Sequence, residues 1–334
     1  MLTFPRRRNA LVRTLALLFT PLAAAAWLMQ SPAVPRAAAQ VTPPAFRNFE
    51  GPQVHPLALT PDGTRLLAVN TPNATLSVFQ LTGEAPLLTA EIPVGLEPVS
   101  VAARNNREAW VVNWLSDSVS IVDLTTGNVT RTIEVGDEPT DVLFAGVARE
   151  MAFVCVSGGG RVNVSSGLPI TGGSGVVKVF DPASPAAAPQ TLNVFGKQPR
   201  ALARDAAGAR VFVSVFESGN QTTIVPESIV RANGGMPPPN PAMSGSLPPA
   251  PGTGLIVRWD GANWVDEIGR SWNQHVPYRL ADVDVAVFNS AGTTAAPAGD
   301  VRGVGTHVGN MAFDPATSRL FVANLDSNNS VRFE

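Results

Sequence analysis

Short apolar runs separated by turn-forming residues recur along the chain from about residue 56 onward. Leu66-Leu67-Ala68-Val69-Asn70, Ala109-Trp110-Val111-Val112-Asn113, Val211-Phe212-Val213-Ser214 and Leu320-Phe321-Val322-Ala323-Asn324 are each four or five residues long and share one character. Runs this short, rich in β-branched and aromatic residues and bounded by Gly, Pro, Asn or Asp, predict strands rather than helices. The clearest copy continues through a polar turn into a third strand, Ser118-Val119-Ser120-Ile121-Val122-Asp123. Thr125-Thr126-Gly127-Asn128 then turns the chain into a fourth, Val129 to Val135. Asp62-Gly63 and Thr126-Gly127 supply the positive φ that tight hairpins require.

An anchor precedes each group: Gly95-Leu96-Glu97-Pro98, Gly136-Asp137-Glu138-Pro139 and Gly196-Lys197-Gln198-Pro199. Gly305-Thr306-His307-Val308 is a degenerate copy, and His55-Pro56 ends an earlier one. Four short strands in about 41 residues is the size of a propeller blade. A four-stranded sheet that is apolar on both faces cannot hide either face alone. Stacking such sheets around an axis buries both, at roughly 25 cal/mol per Å² of apolar surface. The chain therefore reads as all-β, a β-propeller of four-stranded antiparallel blades with about five blades visible and an incomplete ring. Blade one is expected over 56–94, blade two over 98–135 and blade three over 139–195, with a Gly/Ser-rich insertion near 157–175. Blade four starts at 199 and is interrupted near 226–253; its third and fourth strands are expected at Leu255 to Trp259 and Trp264 to Ile268. Residues 270–304, with the alternating Asp282-Val283-Asp284-Val285-Ala286-Val287-Phe288, are expected to be an added hairpin or a degenerate blade. Blade five starts at Val308 and reaches Glu334 inside or just after its third strand.

Composition agrees: Gly and Pro number 29 and 30 in 334 residues, and only 15% are charged, which suits frequent tight turns. The N-terminus departs from the pattern. Arg6, Arg7, Arg8 and Arg13 precede an apolar run from Thr14 to Met29, and Ala37-Ala38-Ala39 offers small residues for signal peptidase. The run is short for a transmembrane span of roughly 20 residues. Residues 1–39 are thus expected to be a cleaved export signal, leaving a periplasmic or secreted protein with no stable membrane span. That segment holds five of the 24 basic residues and none of the 26 acidic ones, so its removal leaves 19 against 26, a formal charge of −7. A diffuse acidic balance argues against nucleic acid as a partner.

Candidate chemistry is sparse. Cys155 is the only cysteine and lies in Ala152-Phe153-Val154-Cys155-Val156, a setting for a small buried hydrophobe. The sequence has no G-x-x-x-x-G-K-[ST], H-E-x-x-H, G-x-S-x-G or C-x-x-C-H, and no cofactor is expected. The residues just before successive inner strands are His55, Glu97, Glu138, Gln198 and His307. In a propeller these occupy equivalent loops at one mouth of the channel, so His55, Glu97, Glu138 and His307 are metal-ligand candidates. The competing reading is that polar residues simply populate connecting loops. Asn70, Asn113 and Asn324 end second strands and are expected to satisfy turn backbone groups.

Trp110-Val111-Val112-Asn113, Ser116-Asp117-Ser118-Val119-Ser120-Ile121-Val122-Asp123 and Thr126-Gly127-Asn128-Val129 together resemble the YVTN-type β-propeller repeat. The opening Val54-His55-Pro56 to Asp62-Gly63 and the closing Asn310-Met311-Ala312-Phe313-Asp314-Pro315 are similar to those of secreted bacterial propellers. Some such relatives continue into a c-type haem peroxidase-like region, whose haem motif this chain does not carry. The resemblance and the absence of a nucleophile signature imply an exported, non-catalytic binding or interaction scaffold for an unidentified protein or small molecule. The alternative is the propeller part of a redox or lactone-hydrolysing enzyme. The missing outer strand of the last blade is expected to come from Phe46-Arg47-Asn48-Phe49-Glu50, or else the chain is a piece of a larger propeller.

Overall fold

Apolar residues alternating across neighbouring strands give this chain a series of four-stranded antiparallel sheets. A computed structural model describes residues 53–157, 175–218, 221–237, 252–278, 280 and 282–325. The expected export signal, the expected closing strand Phe46–Glu50, nearly all of the Gly/Ser-rich and Pro-rich stretches and the last expected strand around Val331 lie outside these residues. Blade one contains β1 (Leu57–Leu59), β2 (Arg65–Asn70), β3 (Thr75–Gln80) and β4 (Leu87–Pro93). Blade two contains β5 (Pro98–Ala103), β6 (Glu108–Asn113), β7 (Ser118–Asp123) and β8 (Asn128–Glu134). Blade three contains β9 (Pro139–Ala145), β10 (Met151–Val156), β11 (Gly175–Phe180) and β12 (Gln190–Val194). In each the strands pair in chain order.

Blade four follows another route. After β13 (Lys197–Arg204) and β14 (Arg210–Glu217) the chain leaves the blade. It forms β15 (Thr222–Val225), a short helix α1 (Glu227–Ala232), β16 (Leu255–Trp259) and β17 (Trp264–Val265). These strands make a separate three-stranded sheet. The chain then returns as β18 (Val285–Asn289) and β19 (Ala296–Val301), and β14 pairs directly with β18. The expectation that Leu255 to Ile268 completes blade four therefore does not hold. Residues 285–301, expected as an added hairpin or degenerate blade, are its outer half. Their ladder shifts register at Val287/Phe288, as the third and fourth strands of blades one and two do at Val78/Phe79 and Ile121/Val122. A shared β-bulge at one place marks equivalent strands. Blade five is described by β20 (Val308–Asp314) and β21 (Arg319–Asn324).

The core lies between blades. Leu67, Val69 and Leu76 of blade one meet Val101, Val111 and Val122 of blade two. On the other face of blade two, Trp110, Val112 and Val119 meet Val142, Val154 and Phe180 of blade three. Phe153, Cys155 and Val177 then pack on Leu202, Val213 and Phe288 of blade four, and Ala203 and Val285 on Val308 and Met311 of blade five. The run Ala109 to Val112 is apolar without alternation because the sheet has a neighbour on each side. On the outer side of blade one, Leu57 and Leu59 are exposed. Among the described residues no ring of bonded blades closes there, although the Asn310 amide donates to the Val54 carbonyl.

The anchor has a steric basis. A Cβ on Gly95 would come within 2.6 Å of the Asn113 side chain, and one on Gly196 within 2.4 Å of Val215. Both contacts are to the end of the second strand, so the loop entering each blade lies flat against it. Two residues later Glu97, Glu138 and Gln198 share a left-handed backbone, with φ of 51°, 50° and 54°. Since each inner strand starts at an anchor and its neighbours alternate in direction, connections from second to third strands open on the anchor face. The long excursions leaving β10 and β14 both arise there. The opposite face carries short turns such as Asp62-Gly63 and Thr125-Thr126-Gly127.

Candidate functional site

Two constellations sit on the anchor face. The first surrounds Asp141, the third residue of β9 and fully buried. Its Oδ1 accepts from Ser100 Oγ of blade two at 2.5 Å and from the Val142 N–H at 2.9 Å. Its Oδ2 accepts from the Leu202 N–H of blade four at 2.7 Å and from His55 Nδ1 at 2.8 Å. A carboxylate has no proton to give, so the imidazole donates. Burial opposes charging of His55, but the Asp141 charge and hydrogen bond outweigh it and raise its pKa above the ordinary value. The segment carrying His55 also bonds blade two, through Val54 N–H to the Val99 carbonyl and Val101 N–H to the His55 carbonyl. One carboxylate thus ties three blades to the entry segment.

Serine, histidine and aspartate meet here with the wrong connectivity for hydrolysis. A nucleophilic serine gives its proton to histidine, which aspartate orients. Here Asp141 stands in the middle and accepts a hydrogen bond from each. Cys155 is equally unsuited to attack: burial, and secondarily the Asp141 charge, push its thiol well above the ordinary value.

Each metal-ligand candidate has its own surroundings. His55 is held by Asp141. His307 packs edge-on against Phe216, 5.4 Å between centroids, with the Arg200 guanidinium 4.9 Å from that ring's centre. Glu97 is buried, while the Glu138 N–H donates to Asp117 Oδ1. Burial, followed by the charges of Asp137 and Asp117, raises the Glu138 pKa. Among the described residues no three His, Cys, Asp or Glu side chains are grouped as a metal ion would require. The recurring asparagines serve the blades: Asn70 accepts from the Asn73 N–H, and Asn113 donates to Ser118 and Ser120. Asn324 donates to the Val304 carbonyl.

The second constellation was not visible in the sequence. The excursion from blade four has its own core, in which Val225, Val230 and Leu255 meet Val257, Trp264, Trp272 and Val276. Where it stands against the propeller a cavity of about 710 Å³ opens. Its walls include Phe195, Trp259, Trp264 and Tyr278, with Gln221, Asn273, Asp282 and Arg302 among them. Trp259 and Trp264 are cross-strand partners, 5.7 Å apart and inclined by 60°. Tyr278 is held by a 2.8 Å hydrogen bond between its hydroxyl and Thr223 Oγ1. Asp282 accepts from the Gln221 amide and lies 3.5 Å from Arg302. A second cavity of about 410 Å³ shares Gln221, Trp259 and Asp282 and extends toward Gly303–Thr306. A concave, largely apolar cleft with a few convergent polar groups is the usual form of a small-molecule site. Trp259 and Trp264 were expected as strand residues of blade four, and nothing in the sequence near them or near Tyr278 signals that the three rings line one cleft.

Comparison with protein-family models gives no match, and comparison with curated proteins gives none. Solved structures do match. A functionally unknown protein from Desulfotomaculum acetoxidans is similar at a TM-score of 0.50 and 10% identity, over 82% of this chain and 63% of that one. Kuenenia stuttgartiensis hydrazine synthase is similar at 0.44 and 16% identity, over 83% and 76%. The WD40 β-propeller domain of Doa1 is similar at 0.35 and 12% identity, over 46% and 45%. At these identities the likeness is one of fold. The chain is a β-propeller. Its blade four carries a separately cored excursion with an aromatic cleft at its base. Among the described residues no helix is long and apolar enough to cross a membrane.

Proposed function

We propose that this chain is an exported, non-catalytic propeller of the YVTN-repeat type, and that its anchor face is a binding platform built around the blade-four excursion. The observation that carries the reading is the aromatic cleft of about 710 Å³ where the excursion meets the propeller. Rigid blades fix the position of the cleft, and loops on rigid scaffolds are where binding residues concentrate. The engagement of His55, Ser100 and Asp141 with one another, and the raised Cys155 thiol, support binding over catalysis. The basic and apolar N-terminus supports export to the periplasm or medium.

A deletion tests the platform. Residues 219–281 are replaced by a short Gly/Ser linker joining Ser218 to Asp282, and both proteins are immobilised and exposed to a periplasmic extract. Ligands retained by the full chain and lost by the deletion variant support the reading. Equal retention by both, or turnover of a substrate by the purified chain, counts against it.

A further inference from the structure

We infer that the cleft takes a neutral oligosaccharide, an assignment that rests on the binding-platform reading above. The lining is aromatic: the partly exposed Trp259 ring is inclined on Trp264, whose own ring is largely buried in the core of the excursion, and Tyr278 lines the cleft from the chain segment returning to the blade. Flat, weakly polar surfaces of this kind suit the C–H faces of a pyranose ring, which is apolar above and below and ringed by hydroxyls. Phe195 adds a fourth ring at the rim, 49% exposed and free to stack on an incoming unit.

The polar groups point the same way. A sugar hydroxyl both donates and accepts, so adjacent hydroxyls are best met by an acceptor beside a donor. Asp282 and Arg302, 3.5 Å apart, supply that pair. The Asn273 amide oxygen accepts from the Trp264 N–H and its nitrogen donates to Asn263, while the Gln221 amide donates to Asp282, so these two amides fix the wall and each keeps a second hydrogen and lone pair for a ligand. Arg302 also bonds Asp300 at 3.0 Å, which holds its guanidinium at the cleft. Asp282 and Arg302 are the charged residues lining the larger cavity, and Arg258 and Asp284 join the lining in the adjoining one, so two cations face two carboxylates across the site and neither sign is in excess. An aromatic cage for a quaternary ammonium would keep its carboxylate unopposed. The adjoining cavity of about 410 Å³ runs on from Gln221, Trp259 and Asp282, so the site extends beyond one ring.

The test uses the full mature chain and follows tryptophan fluorescence with cellotriose, maltotriose and triacetylchitotriose as probes, and choline as the competing chemistry. Saturable change with at least one trisaccharide is expected. Trp259→Ala should weaken it by about tenfold or more, the order expected when a stacking surface is lost. Because Trp259 also borders the core of the excursion, Phe195→Ala and Arg302→Gln serve as variants at exposed positions, each expected to weaken binding by about three- to tenfold. Circular dichroism verifies that each variant keeps its strands. No saturation with any trisaccharide, saturation by choline alone, or trisaccharide binding unmoved by Phe195→Ala and Arg302→Gln would each overturn the assignment. If extract components still require residues 219–281 while no trisaccharide binds, the platform stands and only the saccharide assignment falls.

Discussion

Blade two and blade four reach the same four-stranded register by different routes. In blade two the strands follow one another from Pro98 to Glu134 with short turns. In blade four the chain departs after Glu217 and returns at Val285, yet Val211, Phe212 and Val213 pair with Phe288, Val287 and Ala286 as Ala109 to Val111 pair with Val122 to Ser120. Cross-strand apolar complementarity, rather than nearness in sequence, therefore sets blade register. Loop-closure entropy rises only slowly with length, at about 0.6 kcal/mol per doubling. A propeller can therefore carry a large excursion on one face at small cost, and this one has placed its cleft there.

The comparison can be broken at several depths. The largest loss should come from the regular blade. Trp110 is fully buried and packs edge-on against Phe144, 5.4 Å between centroids. Trp110→Ala should remove about 3–5 kcal/mol from the urea-measured unfolding free energy. A loss under about 1 kcal/mol would mean that blades two and three do not share a packed interface.

Asp141→Ala comes next. It leaves the buried Ser100 hydroxyl and the Leu202 N–H without their acceptor, with an expected loss of about 3 kcal/mol. Asp141→Asn should lose less, because an amide oxygen still accepts. Equal midpoints for both variants would remove the carboxylate from the account of how blades two, three and four are joined.

Gly196→Ala probes the entry into blade four, where the new methyl would meet Val215. Overpacking of this kind costs roughly 1–3 kcal/mol. Gly63→Ala, at a turn with nothing near its Cβ but a φ of 67°, should lose about 1 kcal/mol through backbone strain alone. The difference between the two separates contact from conformation.

The smallest effect is electrostatic. The folded-state pKa of His55 is raised, so protonation favours the folded chain, and the contribution is fully present below the unfolded value of about 6.5. It is lost as pH rises through the folded pKa. The stability difference between the wild type and His55→Gln should therefore shrink between about pH 6 and pH 8. A difference that grows over that range would contradict the ion pair.

Most of the fold was legible because its signals are local. The anchors, the second strands and the short turns of blades one to three all fall within a few residues of one another. Cys155 was legible as buried from its apolar neighbours. The outer half of blade four was not. Asp282 to Phe288 had the alternation of a strand, but its partner β14 lies across the whole excursion, and the nearer strands at Leu255 and Trp264 offered an equally plausible pattern. The site was hidden for the same reason. His55 and Asp141 are 86 positions apart, and nothing near either residue announces the other. Trp259, Trp264 and Tyr278 converge only once β16, β17 and the returning segment are folded together.

The direct test of the account is amide hydrogen exchange on the chain with residues 219–281 replaced by a short linker. If blade four is built from β13, β14, β18 and β19, then Val211–Val215 and Val285–Phe288 should keep slow exchange close to that of the intact protein. Loss of that protection in the deletion variant would show that the excursion holds the blade together, and the platform would no longer be an addition to a complete sheet.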